Sequence, residues 1–256
     1  MPGNWEAPGS GTCLGNWLED GHSFLFFTEP SDRVVENLLL EYPGLELLDS
    51  YSMPYEQWQG DGVRPFTVGP VHVVPPWLDG EAPEGARTLW LDPGVVFGTG
   101  LHPTTRDCLR ALVEFASREP LGRVLDLGTG TGVLALAAAV LGAEHVLAVD
   151  LNPLAVRTTT NNIALNRMEH LVRAERGSAP DYLREPAGTL VANIHYDVMK
   201  DLVASPGFSR KKRFILSGLL RGEVGRIRAG LDRAGILVVA VREWENTWFT
   251  LSCVAG

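Results

Sequence analysis

A glycine-rich turn followed by a distant carboxylate is the first group of residues whose spacing could do chemistry. The turn ends the stretch VLDLGTGTG, Val124–Gly132, and has glycine at every second position, at Gly128, Gly130 and Gly132. The apolar start of this stretch is typical of a buried parallel strand, and the run VLALAAAVLG that follows favours a helix. Glycines between a strand and a helix leave bare backbone against which a ligand can lie. Asp150 follows about twenty residues later, which is the spacing of a carboxylate that binds the ribose hydroxyls of a nucleoside.

The spacing of the glycines separates two classes of nucleoside ligand. A dinucleotide fingerprint, GxGxxG, requires a third glycine where this chain has Val133. An NAD-dependent dehydrogenase is therefore the alternative on fold alone. Alternating glycines with Asp126 two residues ahead resemble motif one of the S-adenosylmethionine-dependent methyltransferases, in which the acidic residue lies near the methionine amino group. An ordinary glycine-rich turn remains open as a third interpretation.

The stretch LDPGVVFGTGLHPTTRDCL, Leu91–Leu109, places polar side chains where a helix is expected to begin. Its glycines and prolines require a loop that bends sharply, and His102, Thr104 and Thr105 lie at the helix start. Hydroxyl groups at this position can cap the helix or bind a ligand carboxylate at the positive end of the helix dipole. Both roles remain open for the two threonines.

The composition of the 256-residue chain limits the partners that it could bind. Its net charge of −9 argues against a sequence-independent grip on nucleic acid, and it suits a small molecule or a basic protein. A short basic run, Arg210–Arg213, is interpreted as a solvated loop rather than a docking patch. Three widely spaced cysteines predict neither a disulfide framework nor a metal site. Since no leader and no long apolar run is visible, the expected location is the cytoplasm, without membrane contact.

Alternating apolar segments and amphipathic helices predict an α/β fold. From Thr88 onward, the order of elements fits a doubly wound, Rossmann-like sheet of about seven strands, opened by TLW. The last two strands would form a terminal antiparallel hairpin with its turn at Glu245 and Asn246. A doubly wound sheet binds its ligand at the carboxyl ends of the strands, where the glycine-rich turn would lie.

Several strings together resemble one family. DPGVVFGTGLHPTT, followed by VLDLGTGTG, AVDLNPLAV, VANI and ILSGLL, is similar to the PrmA family, the methyltransferases of ribosomal protein L-eleven. The resemblance covers Trp90 to about Leu251, and more loosely the stretch WQGDGVRPFTVGPVHVVPPW. It implies a class I methyltransferase fold that binds S-adenosylmethionine. The residues implied to hold this cofactor are Thr105, Asp126, Gly128, Gly130, Asp150 and Asn193.

Three regions are expected along the chain. Residues 1–54 would form a small α+β region for substrate recognition, about half the length of the ferredoxin-like domain that the family has there. This region would be irregular to about Gly21, continue with a strand in SFLFF and a helix in PSDRVVENLLLEYPG, and end with a strand in LELLDSYSM. Residues 55–87 would be a linker with short strands, in which FTVGPVHVVPPW forms a hairpin or two short strands. Residues 88–256 would form the class I methyltransferase domain.

Asn193 and Tyr196 are the candidate catalytic residues on the acceptor side. Methyl transfer from a sulfonium requires a neutral amine held in line with the methyl carbon, and a buried site lowers the pKa of such an amine. Asn193 ends an apolar strand, and its side-chain carbonyl could accept the hydrogens of the amine. The stretch NIHY also resembles the Asn-Pro-Pro-Tyr loop of amino methyltransferases, with Tyr196 as a wall for the acceptor. His195 could relay a proton or lie at the surface.

These observations predict an S-adenosylmethionine-dependent protein N-methyltransferase that acts on lysine or amino-terminal amines. The resemblance implies a ribosomal protein, L-eleven or a similar one, as the partner, with no direct contact to nucleic acid and no metal. Two alternatives remain open. The chain could methylate another protein or a small molecule, because its amino-terminal region is short, or it could be a cofactor-binding subunit without catalysis.

Overall fold

The computed structural model describes residues 12–19, 22–52 and 63–256. The chain divides into two compact units, Met1–Asp61 and Gly62–Gly256. All the candidate site residues belong to the second unit. None of the helices in the described ranges has the length and apolar composition needed to cross a lipid bilayer.

The first unit contains an antiparallel strand pair and one helix among its described residues. Strands β1 (Cys13–Glu19) and β2 (His22–Phe27) pair with each other, and helix α1 spans Asp32–Glu41. The expectation of an irregular chain before residue 22 is therefore wrong for β1, because pairing with β2 satisfies the backbone hydrogen bonds of this stretch. Residues 1–11, 20 and 21 lie outside the described residues.

The strand expected in LELLDSYSM is also wrong for residues 45–52, which have no regular secondary structure. Leu47 and Leu48 are more than half exposed there, so the apolar pattern has no partner strand to pack against. Residue 53 lies outside the described part.

The second unit opens with a small sheet. Strands β3 (Phe66–Val68) and β4 (Val71–Val74) form the expected hairpin, and β5 (Arg87–Trp90) adds to β4 in parallel. The expectation that the TLW strand opens the large sheet is wrong. A four-residue strand carries no signal for which of two sheets it joins, and β5 pairs with the hairpin.

The large sheet and its helices account for most of the second unit. In chain order the elements are α2 (Pro103–Arg118), β6 (Arg123–Leu127), α3 (Val133–Val140), β7 (His145–Asp150), α4 (Pro153–Leu165), β8 (Val172–Arg176), β9 (Thr189–Asn193), α5 (Tyr196–Ala204), β10 (Arg213–Leu220), α6 (Arg221–Arg233), β11 (Ile236–Trp244) and β12 (Trp248–Ala255). Short 3-10 turns lie at Ala179–Arg184 and Phe208–Arg210.

Within residues 63–256, seven strands form this sheet in the order β11-β12-β10-β9-β6-β7-β8. Only β12 runs antiparallel to its neighbours, and β11 and β12 form the terminal hairpin with left-handed Glu245 and Asn246 in the turn. The predicted fold class, a Rossmann-like sheet of seven strands, is confirmed. One member differs from the prediction, because the short polar edge strand β8, with sequence VRAER, takes the place of the TLW strand.

The two faces of the sheet bury separate apolar clusters. Helices α2, α3 and α4 contribute to one cluster, and α5 and α6 contribute to the other. Every residue of α3 is buried, as its sequence VLALAAAV requires. Chain connections leave β6 and β9 in opposite directions, so their adjacent carboxyl ends form the switch point at which doubly wound sheets bind ligands.

Two side chains of the basic run Arg210–Arg213 are buried and form hydrogen bonds with backbone carbonyls. Lys211 is 2% exposed and its Nζ donates to the carbonyls of Leu183 (2.9 Å) and Glu185, while burial lowers the pKa of its amine. Arg213 is 9% exposed and donates from Nη2 to the carbonyl of Pro120 at 2.6 Å. The interpretation of this run as a solvated loop is therefore wrong for both side chains. They satisfy backbone carbonyls of neighbouring loops.

Candidate functional site

The glycine-rich turn lies at the switch point, directly after β6. Gly128 and Gly130 have φ of +74° and +58°, which favours glycine over any residue with a Cβ. A Cβ on Gly128 would overlap the side chain of Ile194, and one on Gly130 would overlap the carbonyl oxygen of Phe97. Both glycines therefore allow close approach of neighbouring protein atoms, and a direct cofactor contact at these two positions stays a prediction.

Asp150 ends β7 beside this turn, and its carboxylate is held by two backbone amides. Gly130 N donates to Oδ2 at 3.0 Å, and Asn152 N donates to Oδ1 at 2.9 Å. Burial raises the pKa of Asp150, and these hydrogen bonds oppose that rise. Since a carboxylate has about four acceptor positions, lone pairs remain for the hydroxyls of a nucleoside.

Asp126 and Thr105 each have a buried polar atom that lacks a hydrogen-bond partner among the described residues. Asp126 accepts a bond from Thr129 Oγ1 at 2.7 Å on Oδ2, while its Oδ1 and the hydroxyl of Thr105 have no partner. Burial raises the pKa of Asp126 to about 7, against the effect of the Thr129 hydrogen bond. Burial raises the thiol pKa of Cys108, one helical turn after Thr105 on α2, to about 12, and the charge of Asp126 adds to this rise. One acceptor and one donor are therefore left for a ligand with an ammonium and a carboxylate.

The loop between β5 and α2 is tied to the glycine-rich turn through Thr131. The backbone N–H of Thr131 donates to the carbonyl of Phe97 at 3.0 Å, and its hydroxyl donates to the carbonyl of Gly98 at 2.8 Å. On the other side of the turn, Thr159 Oγ1 donates to the carbonyl of Gly130 at 2.9 Å. These bonds fix the loop that leads to His102 against the turn.

Asn162 on α4 and Asn166, the residue directly after this helix, bind the backbone that enters this loop. Asn162 accepts from Asp92 N at 2.8 Å and donates to Asp92 O at 2.7 Å, and Asn166 accepts from Trp90 N and donates to Trp90 O in the same way. Asn162 also donates to the carbonyl of Thr131 at 2.9 Å and is completely buried. Helix α4, which starts three residues after Asp150, therefore holds both the loop and the turn.

A chain of hydrogen bonds joins Asn193 to the start of α2. Asn193 Nδ2 donates to Thr104 Oγ1 at 3.3 Å, and Thr104 Oγ1 lies 2.6 Å from His102 Nδ1. Because the backbone N–H of Thr104 also donates to His102 Nδ1, that nitrogen is an acceptor and the Thr104 hydroxyl donates to it. The cap of α2 is His102, and the hydroxyl of Thr104 is thereby left for Asn193.

The ring of His102 is enclosed by two aromatic residues. Its centroid lies 4.8 Å from that of Trp248, edge to face, and 5.4 Å from that of Phe97. Burial lowers the pKa of His102, which favours its neutral form. Trp248 was not among the residues expected from the sequence, since it begins β12 and reaches the site only through the sheet order.

The side chain of Asn193 is oriented by its neighbours. With Nδ2 bonded to Thr104, its carbonyl oxygen points towards Gly218 of β10. A Cβ on Gly218 would come within 3.2 Å of that oxygen and 2.8 Å of the carbonyl oxygen of Ile194. The glycine therefore leaves space at the carboxyl ends of β9 and β10.

Tyr196 and His195 form no side-chain hydrogen bond with the other candidate site residues among the described residues. The ring of Tyr196, the first residue of α5, lies 5.8 Å from Lys200 Nζ and 5.6 Å from the guanidinium of Arg226. His195 is exposed and makes no side-chain cap of α5. The catalytic role of Tyr196 stays a prediction. No group of three or more His, Cys, Asp or Glu in the described ranges is arranged to hold a metal ion.

Comparison with known proteins identifies the family. A family model described as "Ribosomal protein L11 methyltransferase (PrmA)" matches residues 53–255. The chain belongs to the PrmA family. The PrmA match covers every residue of the glycine-rich turn, the loop before α2 and the Asn193 strand.

Individual PrmA relatives agree with this result. A protein named "Ribosomal protein L11 methyltransferase" from Geobacillus kaustophilus is 37% identical over 177 residues, covering 68% of this chain and 56% of the relative. The protein of the same name from Deinococcus radiodurans is 37% identical over 198 residues, covering 73% and 71%. A crystal structure of "ribosomal protein L11 methylase" from Lactobacillus delbrueckii subsp. bulgaricus has a TM-score of 0.66 at 27% identity, covering 75% of this chain and 98% of that one. The chain thus spans about half the length of the Geobacillus relative.

Proposed function

We propose that this chain transfers a methyl group from S-adenosylmethionine to an amine of a protein. One structural relationship supports this most directly. The glycine-rich turn after β6 and Asn193 at the end of β9 lie side by side, with the side chain of Ile194 packed where a Cβ of Gly128 would be. A nucleoside held at the turn and an amine held at Asn193 would therefore be neighbours.

The residues of the turn fit the proposed cofactor. When bound, S-adenosylmethionine supplies a methyl group activated by a sulfonium. Asp150 would accept hydrogen bonds from its ribose, and the partnerless Oδ1 of Asp126 and hydroxyl of Thr105 would bind its ammonium and carboxylate. Gly128 and Gly130 would shape the backbone beneath it, and the loop tied through Thr131 would exclude water.

Asn193 would orient the acceptor amine. Its Nδ2 is committed to Thr104, so its carbonyl oxygen is left to accept a hydrogen from the amine and direct the lone pair. The neutral His102 fixes Thr104 in turn, which makes His102 a positioning residue in this proposal. Tyr196 would serve as a wall on the far side of the acceptor. Desolvation of the amine on binding would favour the neutral form that can attack.

The proposed acceptor is a lysine or amino-terminal amine of ribosomal protein L11, because relatives over most of this chain carry that name. In this proposal residues 1–54 help to recognise the acceptor protein, and residues 88–256 transfer the methyl group in the cytoplasm. Residues 55–87 are the linker between these two regions.

Ligand-dependent stability tests the cofactor first. We expect S-adenosylmethionine or its demethylated product to raise Tm by several degrees at about 100 times Kd, since such binding contributes about 2.7 kcal/mol. NAD should leave Tm unchanged, and a rise with NAD alone would reject the cofactor.

Transfer of a labelled methyl group then tests the acceptor. Purified bacterial ribosomal protein L11 should become labelled, with the label on an amine by mass spectrometry. If the label appears on another protein of a cell lysate, the methyltransferase activity is supported and ribosomal protein L11 is rejected as the acceptor. Cofactor binding with no transfer to any acceptor would favour a non-catalytic subunit.

A further inference from the structure

Positive charge is concentrated in one segment of an otherwise acidic chain. Residues 196–234 contain nine Lys and Arg against four Asp and Glu, whereas the whole chain has 22 against 31. Two of the nine, Lys211 and Arg213, are buried and bind backbone carbonyls. The others are free to create a positive potential on the side of the sheet covered by α5 and α6.

A groove between α5 and α6 collects part of this charge. It has a volume of about 410 Å³, and residues 205–209 are part of its lining. Its apolar lining includes Val203, Ile227 and Phe208, all buried in the core of that face. Lys200, Arg226 and Arg233 are its charged residues, and no acidic side chain is among the described residues that line it. We call this the α5–α6 groove.

The cations of the groove are poorly neutralised. Arg226 and Arg233 form no ion pair with any carboxylate of the described residues, and Arg226 instead lies over the ring of Tyr196. Lys200 has one weak partner, Asp197 at 3.5 Å, and both side chains are largely solvent-accessible. The groove therefore has unmatched positive charge above an apolar floor, which complements a segment with carboxylates and apolar side chains.

Tyr196 connects the groove to the end of β9, where the proposed acceptor position lies. Tyr196 follows Asn193 by three residues, and its ring contacts both Lys200 and Arg226. Helices α5 and α6 both start at the carboxyl ends of strands, β9 and β10, so the groove between them leads away from the site.

We propose that the α5–α6 groove binds an acidic, extended segment of the protein acceptor and thereby places the acceptor amine beside Asn193. The proposal rests on the proposed function and adds a recognition element to it. Arg226 and Arg233 are seven residues apart on α6, or about 10 Å along the helix. An extended chain rises about 3.3 Å per residue, so the matching carboxylates would be about three residues apart. A nucleic acid is the less suitable occupant, because the groove floor is apolar and the phosphate backbone would meet only three cations.

Charge-neutral variants of the groove test this proposal against a control on the same helix. The double variant Arg226→Gln with Arg233→Gln should raise KM for ribosomal protein L11 by about tenfold or more, with a smaller change in kcat, and leave the Kd of S-adenosylmethionine within twofold. The control is Arg228→Gln, which removes one positive charge from an exposed position of α6 that does not line the groove. It should keep the wild-type KM. Similar KM values for the double variant and the control would overturn the proposal.

A direct binding measurement separates failure of the groove from failure of the proposed function. The probe is a fluorescein-labelled twelve-residue peptide with aspartates three residues apart and apolar residues between them. Fluorescence polarisation should show binding to the wild type and to Arg228→Gln, a loss of about tenfold in the double variant, and weakening at 0.5 M NaCl. The wild-type enzyme could bind the peptide in this pattern and still methylate no protein. That result would support the groove as a binding site and reject the proposed acceptor. If oligo-uridine displaces the peptide at a concentration below that at which the peptide itself binds, the groove is a nucleic-acid site and the proposal is wrong.

Discussion

The side-chain amide of Asn193 donates to the hydroxyl of Thr104 at 3.3 Å, joining residues 89 positions apart in the chain. Thr104 passes the connection to His102, and both lie at the start of α2. The acceptor side of the proposed site therefore depends on a hydroxyl that touches neither of the two proposed substrates. Its role can be separated from that of Asn193 by substitution.

Replacing Thr104 by valine should reduce kcat while changing the Kd of S-adenosylmethionine little. The variant leaves Asn193 Nδ2 and His102 Nδ1 without their shared partner, which frees the amide to turn. We expect a loss of about 10- to 100-fold, a few kcal/mol of the kind that follows from an unpaired buried polar group. Steady-state transfer at saturating cofactor measures it. The control is Thr104→Ser, which keeps the hydroxyl and should retain most activity, and equal rates for the two variants would contradict the role.

Removing the carboxylate of Asp150 should weaken cofactor binding by about 1–3 kcal/mol. The variant Asp150→Ala loses the proposed ribose acceptor and also leaves the N–H groups of Gly130 and Asn152 unpaired. Isothermal titration calorimetry with S-adenosylhomocysteine gives the change in Kd. Asp232→Ala, at an exposed position of α6, should bind as the wild type does. An unchanged Kd for Asp150→Ala would remove this residue from the site.

The pKa of Asp126 predicts a pH dependence of stability. Its folded-state value of about 7 lies above the ordinary value of 3.8, because the buried carboxylate is disfavoured in its charged form. Between about pH 4 and 7 the folded protein holds a proton that the unfolded chain has released, so this contribution to stability falls as pH rises. Within that window the free energy of unfolding falls by up to about 1.4 kcal/mol per pH unit, and above pH 7 this decrease ends.

The variant Asp126→Asn tests this dependence, because its side chain has nearly the same shape and does not titrate. Chemical unfolding from pH 5 to 8 should show a shallower decline in the variant than in the wild type. Cofactor affinity of the wild type should rise as pH increases through 7, since a bound ammonium favours the ionised carboxylate. Parallel stability profiles for the two proteins would show that Asp126 does not titrate in this range.

Alanine at Gly130 should destabilise the protein more than alanine at Gly142. Both glycines have left-handed backbone, with φ of +58° and +89°, so both variants carry the strain of a Cβ there, about 1 kcal/mol or more. Only at Gly130 would the added atom also collide with the carbonyl of Phe97, whereas Gly142 has no atom within 4 Å of that position. We expect an extra loss of about 1–3 kcal/mol at Gly130, measured by urea unfolding. Equal losses of stability in the two variants would mean that the loop containing Phe97 moves to accommodate the Cβ without a free-energy penalty.

Local pattern predicted the glycine-rich turn, Asp150 and the alternation of strands and helices, because each depends on residues close in sequence. Pairing between distant strands was less accessible. Strand β8 is a short polar edge strand and was missed, and β5 was assigned to the wrong sheet, since neither has a local signal for its partner. Asn162 was overlooked because a buried asparagine in a helix looks like any other polar position until the loop that it binds is in place. Lys211 and Arg213 were misjudged for the same reason: their carbonyl partners come from other parts of the chain.

The pairing of Asn162 on α4 with Asn166 directly after this helix has a consequence for how this protein can vary in length. The side chains of Asn162 and Asn166 form hydrogen bonds with the backbone of Asp92 and Trp90, respectively. The length of one helical turn therefore matches the length of two residues of extended chain. Deleting or inserting a single residue between Pro153 and Asn162 would rotate both amides by about 100° around the helix axis and release the loop. We therefore expect evolution and engineering alike to preserve the residue count of this helix more strictly than its exposed side chains.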